Sequence, residues 1–319
     1  MTGEDRMGET AGNGDGGVRR ATREEVDWLI ELAAREGWNP GRDDAAAFHA
    51  ADPEGFLVAV AADDRPLAGI SVVRQDDGFG FLGLYIARPE ARGRGHGWRV
   101  WQAGLAHLGE RTVGLDGVPA QQSNYRRSGF EPCWRNLRFA GALAPAASGS
   151  ADASDPPDAS GADAVAGHDA SDARAGAPRR LDAATLESAL ALDRAVGGVS
   201  RERFLRHWLA DSATRRTLCL VEAGRVVALG TIRDCREHCK IGPLIAGDVG
   251  RAETLLRALA AARDAEGIVL DVPEDNAAGV ALARALGLET VFETARMYRG
   301  APPRVDRRRL FGVATLELG

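Results

Sequence analysis

The sequence predicts an α/β protein made of two similar units, each a mixed, mostly antiparallel sheet flanked by helices, joined by a disordered linker. Two internal echoes and one compositional break lead to that reading. "FLVAVAADDRPLAGISVVR" (Phe56 to Arg74) reads as strand, polar turn, strand, and "TLCLVEAGRVVALGTIRD" (Thr217 to Asp234) has the same form. "GLDGVPAQQSNYRRSGFE" (Gly114 to Glu131) is echoed by "VLDVPEDNAAGVALARALGLE" (Val269 to Glu289), which sets Asp116 and Asp271 155 residues apart. Between the echoes, residues 141–178 hold six Asp against one Arg, with Leu143 and Val165 as the only large aliphatics. Such a stretch buries too little to offset its ordering entropy. The expected boundaries are a disordered tail over 1–17, a first domain over 18–140, the linker over 141–178 and a second domain over 179–319.

In the first unit, "TREEVDWLIELAAREG" opens with Thr22 and Glu25 at capping-box spacing, and Val26, Leu29, Ile30 and Ala33 follow at helical intervals. Strands are expected near 56–61, 67–74 and 79–87. A helix over about 95–109, a strand over 111–115, a short helix over 121–128 and a strand over 133–140 follow. Helices, then a three-strand meander, then strand–helix–strand–helix–strand make a mixed sheet.

Composition narrows the function. The 319 residues are 45% apolar, enough for two ordinary cores, and the formal charge of -6 gives no reason to expect nucleic acid as a partner. A single lysine, Lys240, stands among 40 basic residues, a compositional bias rather than a function. No run is apolar enough for a bilayer and the N-terminus lacks an apolar signal core, so neither membrane association nor secretion is expected. Cys133, Cys219, Cys235 and Cys239 make no disulfide framework, which fits a reduced, cytoplasmic protein. "CREHC" (Cys235 to Cys239) offers two thiols and His238, but no second cluster completes a tetrahedral set, and no metal site is expected.

The chemistry points to "LYIARPEARGRGHGWRVW" (Leu84 to Trp101). Leu82, Leu84 and Ile86 alternate on one strand face, Pro89 stops the strand, and a helix begins near Gly95. Glycines at 93, 95 and 97 thus occupy a strand-to-helix turn. Successive N–H groups there, with the positive helix end, form an anion site that a phosphate can approach closely. A glycine-rich turn without a ligand is the competing explanation. The Walker loop needs a lysine that is lacking here, and Gly-x-Gly-x-Gly is not the dinucleotide spacing.

"RPEARGRGHG" resembles the acetyl-coenzyme A motif of the GNAT N-acetyltransferase superfamily, with Arg92, Gly95 and Gly97 at its defined positions. "NYRRSGF" resembles the family's later motif, a Tyr four residues before Gly-Phe, here Tyr125, Gly129 and Phe130. "REGWNPG", "GFLGLYIARPEARGRG" and the closing "FGVATLELG" resemble a bacterial tandem subfamily with two such domains. The resemblance implies that acetyl-coenzyme A is the co-substrate. The amides of Gly93, Arg94, Gly95, His96, Gly97 and Trp98 would hold its pyrophosphate, beside Arg92. Tyr85, Ile86 and Ala87 would pair with its pantetheine arm, and a backbone N–H near Ile86 would take the oxyanion. Many members carry an Asn seven residues before the Tyr. Val118 stands there instead, and Gln121, Gln122 or Asn124 are the substitutes at hand.

An alkylamine, with a pKa of roughly 10, must lose a proton before it attacks a thioester, and the leaving thiolate, of parent pKa about 8.5, benefits from a proton donor. By the same resemblance Tyr125 is the candidate acid, with packing over the coenzyme as its other reading. Asp116, at a strand end, is the best first-domain candidate for the base, and could equally be a turn-capping carboxylate. Glu36, Asp43 and Asp44 flank Trp38 and either attract a cationic amine or form a solvated loop. The second unit departs: "IGPLIAGDVGRAETLLRAL" has no Gly-x-Gly, Asp248 stands where a pyrophosphate would lie, and position 283 is Ala. That domain is expected to bind no coenzyme. Glu293, Arg296 and Tyr298 on its late strand either line a pocket or divide between core and surface. The leading expectation is acetyl transfer to a primary amine of a small molecule or peptide, by a chain whose fold is compatible with a homodimer. The alternatives are a non-catalytic module that senses acyl-coenzyme A and an enzyme of wider acyl range.

Overall fold

The computed structural model describes residues 15–144 and 176–319. The first half runs β1 (Asp15–Arg20), α1 (Arg23–Arg35), α2 (Asp44–Ala51), β2 (Phe56–Ala61), β3 (Pro66–Arg74), β4 (Phe79–Ala87), α3 (His96–Leu108), β5 (Thr112–Gly117), α4 (Gln122–Arg127) and β6 (Glu131–Gly141). The second half repeats the order with β7 (Arg179–Arg180), α5 (Ala183–Gly197), α6 (Glu202–Trp208), β8 (Arg215–Glu222), β9 (Arg225–Asp234), β10 (Cys239–Ile245), α7 (Val249–Ala261), β11 (Ile268–Pro273), α8 (Ala277–Ala285) and β12 (Glu289–Arg299), then adds β13 (Leu310–Gly312). The Thr22 hydroxyl accepts from the Glu25 N–H and the Glu25 carboxylate accepts from the Thr22 N–H, the expected capping box. Val26, Leu29, Ile30 and Ala33 all face the core.

The two expected half-sheets are present, and they are fused by an exchange of strands. The order is β1-β2-β3-β4-β5-β12-β6-β11-β10-β9-β8-β7, with β13 beside β10. β6 leaves the first half to lie between β11 and β12, while β12 leaves the second half to lie between β5 and β6. Only β4 with β5 and β10 with β11 are parallel. Each half therefore supplies the strand that finishes the other, and the result is one 13-stranded sheet among the described residues.

The exchanged strands carry reciprocal ion pairs. Arg138 on β6 lies opposite Asp271 on β11, and Arg296 on β12 lies opposite Asp116 on β5. Each pair is bidentate: Arg138 Nε and Nη2 reach Asp271 at 2.7 and 2.9 Å, and Arg296 Nε and Nη2 reach Asp116 at 3.0 and 2.7 Å. All four side chains are buried. The repeat seen as Asp116 and Asp271 thus marks two equivalent anchors, each gripped by the opposite half.

Helix packing closes the seam from one side. Phe48 of α2 stacks on Trp208 of α6 with ring centroids 5.8 Å apart. Asp44, fully buried, accepts from Arg215 at 3.0 Å and from Arg233 at 3.2 Å. Both guanidinium groups also lie over the Trp208 ring at 4.5 Å. Asp43 reaches Arg215 and Ser212. Asp43 and Asp44 are therefore neither an amine lure nor a solvated loop. They tie the halves together, because α2 faces the second half rather than solvent.

Two expected boundaries move. Residues 15–17, assigned to the tail, belong to β1. The linker expected over 141–178 begins and ends as ordered chain: Gly141 is in β6, and the Ala144 N–H donates to the Leu286 carbonyl. The rest of the tail and of the linker lies outside the described residues. At "CREHC", Cys235 is buried and the Cys239 thiol approaches Asp234, and no group of three or more potential metal ligands occurs among the described residues. No described helix is long and apolar enough to cross a membrane.

Arg296→Met should strand Asp116 as a buried charge and destabilise the chain by about 3–5 kcal/mol. Urea unfolding should show this as a single shifted transition for both halves; an unshifted midpoint would mean that the pair anchors nothing. Proteolytic nicking within 145–175 should give two pieces that co-elute on size exclusion without denaturant, because β6 and β12 remain exchanged. Separate elution would contradict the interleaved sheet.

Candidate active site

The site begins where two parallel strands part. β4 and β5 pair over Phe79–Leu82 and Thr112–Leu115 and then diverge. A bulge opposite Gly69 and Ser71 gives β4 one extra residue and places Leu84 at φ 45°. Bulges bend the strand that carries them. The bend leaves Tyr85, Ile86 and Ala87 lining an open groove of about 640 Å³.

Gly93, Gly95, Gly97 and Trp98 line the same groove, at the start of α3. Gly93 has φ 73° and Gly95 φ 81°, the left-handed region that favours glycine, and a Cβ on either would meet no protein atom. The glycines are needed for the backbone's path and for the open face in front of it. Gly95 caps α3 without any side-chain hydrogen bond, and Gly95, Gly97 and Trp98 line the groove, so the first turn of α3 meets the groove without a side-chain cap. Arg92 pairs with Glu36 at the rim, which also removes Glu36 as a lure for the acceptor. Arg94 is exposed, and His96 is buried with its ring against Arg99.

The groove leads into a cavity of about 80 Å³ whose lining includes Leu84, Tyr85 and Tyr125. An aromatic cluster fixes Tyr125. Its ring stacks on Trp101 at 5.4 Å, and Trp101 also touches Tyr85 at 5.2 Å and Phe130 at 5.8 Å. A Cβ on Gly117 would sit 3.0 Å from the Tyr125 ring, so the glycine there admits the tyrosine. Burial, helped by Tyr85, pushes the Tyr125 phenol well above its ordinary value, and the proton stays on oxygen at neutral pH.

The equivalent place in the second half is filled by the chain itself. β10 and β11 part after Ile241 and Leu270, and β13 enters the gap, pairing with Leu244 and Ile245. The Val313 N–H donates to the Asp271 carbonyl at 2.9 Å. Asp248 caps α7, accepting from the Arg251 N–H at 2.9 Å, and also pairs with the Arg251 side chain. Strand edge and helix end are both satisfied internally.

These two features, an open strand-and-glycine groove in one half and its filled counterpart in the other, agree with the comparisons. The description "Acetyltransferase (GNAT) family" matches residues 23–130, and "Acetyltransferase (GNAT) domain" matches residues 189–312. The chain belongs to the GNAT family. It is a tandem member, with a GNAT domain in each half. A holothin acyltransferase from Pseudoalteromonas sp. (strain SANK 73390) is 28% identical over 301 residues, 94% of this chain and 93% of that protein. A putative acetyltransferase from Pyrococcus horikoshii shares the fold with a TM-score of 0.75 at 18% identity, covering 99% of this chain and 100% of that one. A tandem GNAT protein from the clavulanic acid biosynthesis pathway does so with a TM-score of 0.59 at 16% identity, covering 90% and 99%.

Within this GNAT frame the expected site residues separate. Tyr85 to Ala87, Arg92, the glycine turn and Tyr125 gather along groove and cavity. Gln121 lines both, whereas Gln122 donates to the Gly117 carbonyl and Asn124 to Gln121. Asp116 does not fit the role of base. Its side chain has no exposed surface, Arg296 holds both oxygens, and Asn136 donates to one at 2.8 Å. Burial raises its carboxyl above the ordinary value against the pull of Arg296. Asp271 is buried as deeply, but Arg138, with Lys240 and Arg233 nearby, outweighs that and holds it below. Arg296 and Tyr298, weighed as pocket residues, are buried and line a second, smaller cavity with Phe79, Phe81 and Trp134, separate from the one at Tyr125, and Glu293 pairs with Arg135 on the surface.

Sequence reasoning passed over four cavity residues from the second half: Phe292, Thr294, Leu316 and Glu317. Phe292 and Thr294 arrive on β12 because that strand is exchanged. Glu317 arrives on the closing segment, whose backbone lies directly on Gly83; a Cβ there would be 2.0 Å from the Glu317 carbonyl oxygen. "FGVATLELG" held no spacing that foretold it.

Gly95→Ala forces a side chain into a left-handed conformation costing about 1–2 kcal/mol and pushes a methyl into the groove. Calorimetry should record at least a roughly tenfold loss of coenzyme A affinity, with an unchanged circular dichroism spectrum. Undiminished binding would give the loop another task.

Proposed function

We propose that this chain is an N-acyltransferase that carries the acetyl group of acetyl-coenzyme A to a primary amine of a small molecule, with one coenzyme site per chain. The observation behind this reading is the continuity of the groove with the cavity: Trp38, Tyr85, Val118 and Gln121 line both, and Tyr125 stands in the cavity wall. The relative named holothin acyltransferase, matched over most of both chains, supports acyl transfer.

The pyrophosphate fits the turn from Gly93 to Trp98. The N–H groups there are uncapped and the helix end is positive, so an anion is stabilised without a lysine. The pantetheine arm takes the free edge of Tyr85 to Ala87, as an added strand would. That places the thioester in the cavity below Tyr125. The amine attacks the carbonyl carbon, a backbone N–H near Ile86 receives the oxyanion, and the C–S bond breaks. Tyr125 donates its hydrogen bond, then its proton, to the developing thiolate; in the dry cavity that charge has few other partners.

A cavity of about 80 Å³, with Leu84, Phe292 and Leu316 in its wall, suits a compact acceptor better than a chain that must pass through. Acceptance of small amines, with poor transfer to peptide N-termini, is the expected result of an acetyl transfer assay over both classes. Tight coenzyme binding with no transfer to any amine would favour a sensing module instead.

Tyr125→Phe removes one hydroxyl and little volume. Turnover should fall roughly 10²-fold or more with coenzyme affinity nearly kept. Wild-type turnover would leave the tyrosine as packing. Titration of the intact chain with acetyl-coenzyme A should saturate near one equivalent, since β13 and Asp248 fill the second groove. A second equivalent would require β13 to leave its place.

A further inference from the structure

We infer that the second half supplies the acceptor site, with Glu317 as the residue that binds the amine of the incoming substrate and takes its proton. This rests on the acyl-transfer reading above and extends it to the acceptor.

The cavity under Tyr125 holds two carboxylates, Asp116 and Glu317. Asp116 is spent on Arg296 and Asn136. Glu317 is buried too, with 5% of its surface exposed, yet no Arg, Lys or His forms an ion pair with it among the described residues. Its Oε2 accepts from the Thr315 hydroxyl, two residues back, and among the described residues no donor reaches its Oε1. Burial of a carboxylate is costly, and such groups are ordinarily paired. Here the positive field comes from a distance. Arg138, Arg233 and Lys240 lie near enough to feel the Glu317 charge, yet Arg138 is fastened to Asp271, Arg233 to Asp44, and Lys240 to the Asn39 carbonyl. A carboxylate in a cationic setting, with one oxygen unclaimed and a cavity in front of it, is arranged for a cationic ligand.

Its position is fixed rather than incidental. The backbone of Glu317 rests on Gly83, Leu318 beside it is buried, and Arg201 holds the Gly319 carbonyl while pairing with Asp193. Leu82, Leu84, Phe292 and Leu316 give the cavity an apolar wall, and its polar lining includes Gln121, Thr294 and Arg138, whose charge is answered by Asp271. The acceptor of matching chemistry is a primary amine on an apolar, flat or compact body.

The proton balance is simple. The ammonium enters with its charge against Glu317 and gives one proton to Oε1, leaving a neutral amine and a neutral carboxyl group. The nitrogen lone pair forms the bond to the carbonyl carbon as the C–S bond breaks. Tyr125 gives its proton to sulfur and recovers one from the nitrogen of the new amide. Glu317 returns its proton to solvent when the product leaves. Net, an ammonium and a thioester become an amide, a thiol and one released proton.

The test compares wild type with Glu317→Gln and Glu317→Asp, using 2-phenylethylamine, protonated at neutral pH, and aniline, which is not. Calorimetric titration of each amine into the chain saturated with coenzyme A reads binding without requiring transfer. Wild type should bind 2-phenylethylammonium, and Glu317→Gln should lose at least about tenfold in affinity with its thermal melt intact. In transfer assays, Glu317→Gln should lose roughly 10²-fold in kcat/KM for 2-phenylethylamine, far less for aniline, and Glu317→Asp should lie between. Failure of wild type to bind the ammonium, or an equal effect of Glu317→Gln on both amines, would overturn the assignment of Glu317. Binding that depends on Glu317 but leads to no amide would uphold this acceptor site and overturn the transfer reading alone.

Discussion

Two buried arginine–aspartate pairs decide how the rest of this molecule is arranged. Each joins a strand of one half to an exchanged strand of the other, with both guanidinium nitrogens in register with a carboxylate. A buried charge left without its partner costs about 3–5 kcal/mol, a large share of the stability of an ordinary domain. β6 and β12 therefore cannot return to their own halves without breaking both pairs. The exchange brings Phe292 and Thr294 to the first half's cavity, and β12 leads the chain on to the segment that carries Glu317. Cavity shape and ion pairing are consequences of one topology.

The halves share a plan and have diverged at one place. In each, two parallel strands separate beyond a bulge and leave backbone groups unpaired. In the first half those groups face a groove, because glycines in the left-handed region turn the chain away and no side chain caps the helix. In the second half β13 pairs with the strand and Asp248 caps the helix. Orphaned backbone groups need partners. One half satisfies them from its own chain, and the other leaves them along an open groove.

The electrostatics of the seam follow from the same economy of partners. Arg138, Arg233, Arg215 and Lys240 are buried in one region, and Asp271, Asp44 and backbone carbonyls answer them. The lone lysine has no carboxylate partner and binds the carbonyl of Asn39, beside Trp38 at the cavity wall. Glu317 adds the remaining negative charge there without closing an ion pair. That arrangement keeps a carboxylate available in an apolar cavity, where an interaction with a cation is stronger than in water.

Local rules made much of this legible in the residues themselves. The capping box at Thr22 and the glycines at 93 and 95 each act within a few residues, so the elements and the glycine turn could be read from their spacing. The alternation through Leu82, Leu84 and Ile86, by contrast, is broken by the bulge, which sends Leu82 to the core under α3 and Leu84 and Ile86 to another. Tyr125 came through its place in a motif. The absence of glycine alternation around Asp248 likewise marked the second groove as altered. Asp116 was misjudged because its partner, Arg296, lies 180 positions away. Nothing in the neighbourhood of either residue announces that β12 will be exchanged. Glu317 was missed for the same reason: a carboxylate in an apolar run reads as a surface residue until Gly83 is found beneath it. Sequence spacing determined the strands, helices and the glycine turn, whose forces are local. The tertiary structure alone decided which carboxylate was spent on an ion pair and which faced the cavity, because that choice depends on which distant strands meet.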